Sequence, residues 1–383
     1  MTDKKSSQKH CYQIIYYFCK KYNHLNKNIL ICLLDWGLGH ATRCVPIIRA
    51  LSEQGHKVIV AADNEPLAFL QKEFPEADFI KFPGFRPTYS RGNSQVIKML
   101  SSLPEALRDF RRDHQTVESI VKNYNIDALI SDNRFGCWSD LVHSVFITHQ
   151  LHIQIPQRWR FVTPIINMFN NSFIKEYDEL WIPDVDYKLS LSGRLSHPAQ
   201  MKIRTSYIGL LSRFSSGNQE DDERDTKYLV ILSGPEPQRS MLEDIVLKQA
   251  AKINDKVLIL RAKPDTHDFP RNIPDNVSMF NHVDDELFAE LVKSSENIIC
   301  RGGYSSLMDL VRLNRNAYLV PTPGQTEQEY LCNHLGRLGY FNWCKQSAFQ
   351  LDKVAVPDVN MREKFKDNEE RINDFIENWV KTI

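Results

Sequence analysis

The sequence has no excess of either charge. Its 383 residues hold 48 Lys and Arg against 48 Asp and Glu, a net charge of +0. A chain built for nucleic acid needs a basic surplus, so that partner is excluded as the main one. No run of 18 apolar residues occurs, so no segment reads as a membrane-spanning helix. The eight cysteines stand at 11, 19, 32, 44, 137, 300, 332 and 344, and none forms Cys-x-x-Cys. That spacing gives neither a zinc site nor a disulfide frame, and it suits reduced thiols in the cytoplasm. No cluster of Cys and His offers a metal site.

What is there is the composition of a globular chain, 42% hydrophobic and 25% charged. At about 150 residues per domain the length suggests two or three domains. Residues 1–26 differ from the rest: Lys4, Lys5, Lys9, Lys20 and Lys21 surround Ile14-Ile15-Tyr16-Tyr17-Phe18. The apolar core is too short for a secretory signal. The segment reads as an N-terminal extension, either loosely ordered or a basic aromatic helix lying on a membrane.

From residue 27, apolar runs alternate with helical patterns. Ile29–Leu34, Lys57–Ala62, Asp78–Phe82, Asp127–Asp132 and Val145–His149 read as strands. Pro66–Phe74 reads as a short helix, and Val96–Lys122 as a helix interrupted near Pro104. Residues 85–95 read as loop. Polar residues 214–227 lack periodicity and read as a linker. Strands at 228–232, 256–260, 277–280, 297–300 and 317–320 follow, then one charged helix over 360–383. Alternation of this kind implies parallel sheets with helices on both faces. The expected organisation is an extension (1–26), a first domain (27–213), a linker (214–227), a second domain (228–359) and a terminal helix (360–383). Ligands in such sheets sit at the carboxyl ends of the strands, which points to the cleft between the halves.

Three glycine turns carry the chemistry. Asp35-Trp36-Gly37-Leu38-Gly39-His40 lies between the first strand and an amphipathic helix placed at about Val45–Leu51. Such a turn lets backbone approach a ligand and aims helix N–H groups at an anion. His40 there suits a general base near neutral pH, or is simply a packed turn residue. Arg301-Gly302-Gly303-Tyr304-Ser305-Ser306 repeats the pattern in the second half. Its hydroxyls can donate to phosphate, and Asp309 one turn on can accept from a ribose or merely complement the helix dipole. Gly234, with Arg239 after it, forms the third turn; Arg239 is either a phosphate partner or solvated. Gln325, Glu327 and Gln328 cluster before a helix, as groups that hold sugar hydroxyls do, or as an ordinary helix start. On the first half, Asp132-Asn133-Arg134 and His149-Gln150 follow strands and should open on the cleft. Asp184-Val185-Asp186 is an Asp-x-Asp with no supporting context for a metal. Arg158-Trp159-Arg160-Phe161, leading to Ile165–Phe169, suits a membrane surface or a helix packed on the domain.

The arrangement resembles the GT-B glycosyltransferases, and among them family 28, which includes the N-acetylglucosaminyltransferase of peptidoglycan synthesis and the diacylglycerol galactosyltransferases. Gly37-Leu38-Gly39-His40 is similar to that family's first glycine loop. Residues Arg301 to Asp309 resemble its nucleotide-binding turn, and Pro323-Gly324-Gln325 to Asn333 its donor-sugar segment. Asp309 stands where the family usually has Glu, and the family's Gln-Gln pair is not reproduced. The opening Asp35 to Arg43 looks like an uncharacterised bacterial branch. The resemblance covers nearly all of residues 28–383. It implies an α/β fold of two doubly wound Rossmann-like domains facing across a cleft. It also implies an inverting transfer from a nucleotide-diphosphate sugar, UDP-linked by expectation, with no cofactor and no metal. The acceptor would be a glycan or lipid-linked hydroxyl, and the protein would be cytoplasmic with possible contact to the inner membrane face. His40 is the expected base and Asp35 the runner-up. Donor contacts would come from Gly37, Gly39, Gly234, Arg239, Arg301, Gly302, Gly303, Ser305, Ser306, Asp309, Gln325, Glu327 and Gln328. Acceptor contacts would come from Asp132, Asn133, Arg134, His149 and Gln150. Rival functions on this fold are a sugar-nucleotide 2-epimerase or hydrolase, and a non-catalytic nucleotide-sugar binder.

Overall fold

The computed structural model describes residues 26–35, 37–84, 95–186, 190–197, 201–214, 225–263, 266, 268–365 and 371–383. The segment 1–25, Trp36, the loop-like stretch 85–94 and linker residues 215–224 lie outside the described residues.

The first half is one parallel sheet of seven strands: β1 (Asn28–Leu33), β2 (Lys57–Ala62), β3 (Asp78–Lys81), β4 (Ala128–Asp132), β5 (His143–Ile147), β6 (Glu179–Ile182) and β7 (Arg204–Tyr207). They lie in the order β3-β2-β1-β4-β5-β6-β7. The second half is a parallel sheet of six: β8 (Thr226–Ile231), β9 (Val257–Leu260), β10 (Val277–Phe280), β11 (Ser295–Cys300), β12 (Tyr318–Leu319) and β13 (Asn342–Trp343), ordered β10-β9-β8-β11-β12-β13. Each order reverses once, between β1 and β4 and between β8 and β11. Those are the switch points where an open α/β sheet forms a crevice. In the registers Leu33 pairs with Asp132, and Ile231 with Cys300. The glycine turns leave the sheets at these two places.

Burial explains the apolar runs. Ile29, Ile31 and Leu33 point to one face of the first sheet and Leu30 and Cys32 to the other, all fully buried. A strand covered on both faces reads as continuous apolar sequence rather than alternation. The helix Leu38–Glu53 lays Ala41, Cys44, Val45, Ile48 and Leu51 against the sheet. It starts seven residues before the expected Val45, so Pro46 falls inside it. The missing N–H costs one hydrogen bond, and the buried stripe on both sides of Pro46 outweighs that. Pro104 likewise lies within a continuous helix, Gln95–Asn123, and does not interrupt it; Ala106, Val117, Ile120 and Val121 hold that helix in place.

The charged C-terminal segment is not one helix. It forms Met361–Lys364 and then Arg371–Val380. The last helix returns to the first half, where Phe375 and Trp379 meet fully buried Trp181 edge-on, both at 5.0 Å. The chain end therefore straps the two halves together.

Candidate active site

At the first switch point Gly37 has φ +105°, a conformation that favours glycine, and it precedes the helix bearing His40. Arg43 stands one turn on, on the same face. Its Nε donates to Asp132 Oδ2 at 2.6 Å, and its Nη2 donates to Oδ1. The Cys44 thiol also faces this carboxylate. His40 Nδ1 lies 3.4 Å from Asp132 Oδ2 and 2.8 Å from Arg43 Nη2. Burial opposes charge on Asp132, but Arg43 and His40 outweigh it and hold the carboxyl well below its usual range. Burial, then the Arg43 charge, push the His40 imidazole down, and Asp132 offsets this only in part. His40 is therefore neutral at neutral pH. If Nδ1 carries the hydrogen and donates to Asp132, Nε2 has a lone pair for an incoming proton. If Nδ1 accepts from Arg43, the hydrogen sits on Nε2.

The carboxyl ends of the two sheets face each other and touch. Ser305 Oγ donates to the Gly39 carbonyl at 2.8 Å, and a Cβ on Gly39 would come within 3.1 Å of that oxygen. Tyr304 donates to the Pro183 carbonyl at 2.8 Å, and Thr326 Oγ1 to that of Gln154 at 2.7 Å. His149 stacks on Tyr304, centroids 4.0 Å apart. Its Nε2 meets Glu327 Oε1 at 2.8 Å, while Gln150 donates to the other oxygen of Glu327. Burial works against the Glu327 charge, yet His149, Arg43 and His40 hold its carboxyl below the ordinary value. One contiguous group thus joins His40, Arg43, Asp132, His149 and Gln150 of the first half to Tyr304, Ser305 and Glu327 of the second.

Several expected residues take other places. Arg301, expected on a phosphate, is fully buried and donates to the carbonyls of Val320, Pro321 and Gln238. Burial lowers its guanidinium to about 10. It braces the turn rather than facing the cleft. Arg134, expected on the acceptor, is buried on Asp113 at 2.8 Å and on the carbonyls of Phe82 and Pro83. Gln328 caps the Thr322 N–H at 2.9 Å. Asp132 does not open on the cleft but lies beneath His40 and Arg43. Asn133 has φ +55° and accepts from Thr148. Asp35 accepts from Asn64 at 2.8 Å. Asp184 accepts from the Val185, Leu191 and Ser192 amides, so backbone consumes half of the Asp-x-Asp.

In the second half, Asp309 accepts from Ser212 Oγ at 2.6 Å and lies 3.8 Å from Arg213 Nε. Burial raises its carboxyl to about 6, against the pull of Arg213 and Ser212. Gly302 is tightly packed: a Cβ there would come within 2.5 Å of Cys332 Sγ. Gly303 caps the helix Tyr304–Arg312, which has no side-chain cap and carries Ser306 in its first turn. Gln325 precedes the helix Thr326–Arg337, and its carbonyl accepts the Glu329 N–H at 3.0 Å. Gly324 before it turns the chain with φ +83°. Gly234, at φ +91°, passes close to Thr322, whose buried Oγ1 has no hydrogen-bond partner among the described residues. Arg239 is held by Glu236 at 3.0 Å and by the Ala262 carbonyl. The sequence reading missed Arg43 and Thr322. Arg43 was legible as the residue one turn after His40 once the helix start is moved forward. Thr322 had only its place beside two prolines as a signal.

Comparison with known proteins fixes the family. Residues 27–359 match the model described as Glycosyl transferase family 1. The chain belongs to that family. Among relatives, an uncharacterized glycosyltransferase of Methanosarcina mazei is 21% identical over 364 residues, covering 88% of this chain and 92% of that one. Another, from Methanosarcina acetivorans, is 23% identical over 331 residues and 82% of each chain. Solved structures share the fold at low identity. SnogD of Streptomyces nogalater, a glycosyltransferase, superposes with a TM-score of 0.62 at 12% identity, over 94% of this chain and 100% of that one. MurG of Acinetobacter baumannii gives 0.55 at 12%, over 93% and 100%. This family 1 glycosyltransferase therefore has the two-domain α/β GT-B fold.

Proposed function

We propose that the protein moves a hexose or N-acetylhexosamine from a nucleotide-diphosphate sugar, UDP-linked, to a hydroxyl of a glycan or lipid-linked acceptor. The observation that carries this reading is the meeting of two switch points, one bearing part-buried His40 over Asp132 and Arg43, the other an uncapped helix start after Gly302-Gly303. With the His40 hydrogen on Nδ1 toward Asp132, the acceptor hydroxyl gives its proton to Nε2 as its oxygen bonds to the anomeric carbon. The bond from that carbon to the diphosphate oxygen breaks in the same step. The departing charge is met by free N–H groups of the helix Tyr304–Arg312, with the Thr322 hydroxyl beside Gly234. Attack and departure on opposite faces invert the anomeric centre. Asp309 holds the ribose once Ser212 releases it. No metal enters this scheme. The likeness of the Gly37–His40 and Pro323–Asn333 segments to family 28 supports a lipid-linked acceptor.

A surface feature favours the same acceptor. The helix Thr163–Ile174 and the 3-10 turn before it leave Phe161, Ile165, Met168 and Phe169 exposed, Phe161 at 71%. Of the helix, only Asn170 and Ile174 are buried, so it is not mainly a packed helix. Residues 150–175 contain Arg158, Arg160 and Lys175 and no Asp or Glu. An apolar face rimmed by positive charge suits an anionic bilayer. Asn170 ties it to the carbonyls of Gln150 and Leu151, next to the site. No helix among the described residues is long and apolar enough to cross a membrane.

Incubation with labelled UDP-sugars, with and without membrane lipid extract, tests the reading. Transfer to lipid or glycan is the expected result. Conversion of the donor without an acceptor would point to an epimerase or hydrolase instead.

A further inference from the structure

A groove of 530 Å³ runs beside the helix Thr326–Arg337, outside the site described above. One wall is that helix, with Tyr330, His334 and Arg337. The other comes from the first half, with Arg194, His197 and Asp186. The walls touch at the floor. Tyr330 Oη accepts the Arg194 N–H at 2.6 Å, and His334 Nε2 donates to the Ser190 carbonyl at 2.9 Å. Gly193 makes this approach possible, because a Cβ there would come within 2.7 Å of both His334 and Tyr330.

The groove is rich in positive charge. Arg194 and Arg337 are exposed, and neither makes an ion pair among the described residues. His197 Nδ1 contacts Ser196 Oγ at 2.9 Å. Its Nε2 is buried and has no hydrogen-bond partner among the described residues; Asp186 Oδ1 is 3.8 Å away. Asp186 is the one acid of the lining among the described residues. Two guanidinium forks, one on each wall, form a set of donors for tetrahedral oxyanions. Arg337 lies ten residues beyond Glu327 on one helix, about 15 Å along its axis, so it stands apart from the cluster around Glu327.

We propose that the groove binds the phosphate of a phosphate-bearing ligand, with Arg194 and Arg337 on its oxygens. Because each half supplies one wall, the bound anion clamps the two halves together. The ligand is either a free phosphate or a phosphorylated saccharide.

Calorimetric titration with inorganic phosphate and with glucose 6-phosphate tests this on the full chain. At least one probe is expected to bind saturably at one site, and Arg194→Ala/Arg337→Ala should weaken it at least tenfold. Equal affinity for the two probes assigns a free-anion site, and at least tenfold preference for the sugar phosphate assigns a phosphosaccharide site. UDP titrated into the same double variant reads the donor site separately and should be unchanged. Both side chains are exposed, so the variant should keep its fold. Absence of saturable binding by either probe, or binding that the double variant leaves intact, would overturn the proposal whatever the UDP result.

Discussion

At the switch point between β1 and β4, buried Arg43 and Asp132 lie within reach of part-buried His40. At the one between β8 and β11 the charged residue of the turn, Arg301, is turned away into backbone carbonyls, and the cleft side is left with glycine backbone, serine hydroxyls and helix N–H groups. The same sheet geometry therefore supports two kinds of chemistry. A buried ion pair beside an imidazole fixes where a proton can go. An uncapped helix start offers fixed dipoles to an anion without a formal charge of its own. Under the proposed function, proton transfer and leaving-group stabilisation need different surroundings, and each half supplies one of them.

The largest effect on folding should come from the first of these. Asp132→Ala leaves the Arg43 charge buried without its partner, which should cost about 3–5 kcal/mol of stability. Urea unfolding measures it. A loss below about 1 kcal/mol would mean that the ion pair does not organise the first turn.

The second switch point has one costly group, Asp309, raised to about 6 by burial. An ordinary Asp titrates near 3.9 when unfolded. The native state therefore binds more protons than the unfolded state between about pH 4 and 6, and stability should fall as pH rises through that window, by on the order of 2–3 kcal/mol. Asp309→Asn should remove this slope and, with the carboxylate gone, weaken donor binding by about 1.5–3 kcal/mol. A variant with the wild-type pH profile would show that Asp309 is not the group responsible. The smallest effect concerns the contact between the turns. Ser305→Ala removes its bond to Gly39 and should lower stability by about 0.5–1.5 kcal/mol, read as a small drop in Tm. An unchanged Tm would indicate that the turns do not meet.

Much of this frame was legible in the sequence. Apolar runs such as Ile29–Leu33 and glycines directly after them mark strand ends, because both are local requirements. The partners of the site were less so. His149 and Glu327 are 178 residues apart, and Ser212 and Asp309 are 97 apart; such pairings leave no local pattern. Arg301 and Arg134 look like ligand groups because each follows a strand, yet an arginine there can equally satisfy buried carbonyls, and both do. The strand β6 escaped notice because buried Glu179 and the following Pro183 break its apolar run, although Trp181 is wholly enclosed. Arg43 was hidden by Pro46, which made the helix seem to start too late.

The central claim is that His40 serves the proton and the second half holds the donor. His40→Ala, assayed by turnover and by calorimetric titration with UDP on the same preparation, tests it most directly. Turnover should fall about 10²–10⁴-fold, with nucleotide affinity and fold retained. Near wild-type turnover with normal nucleotide binding would contradict the account and leave the Gly37–His40 turn without a role in proton transfer.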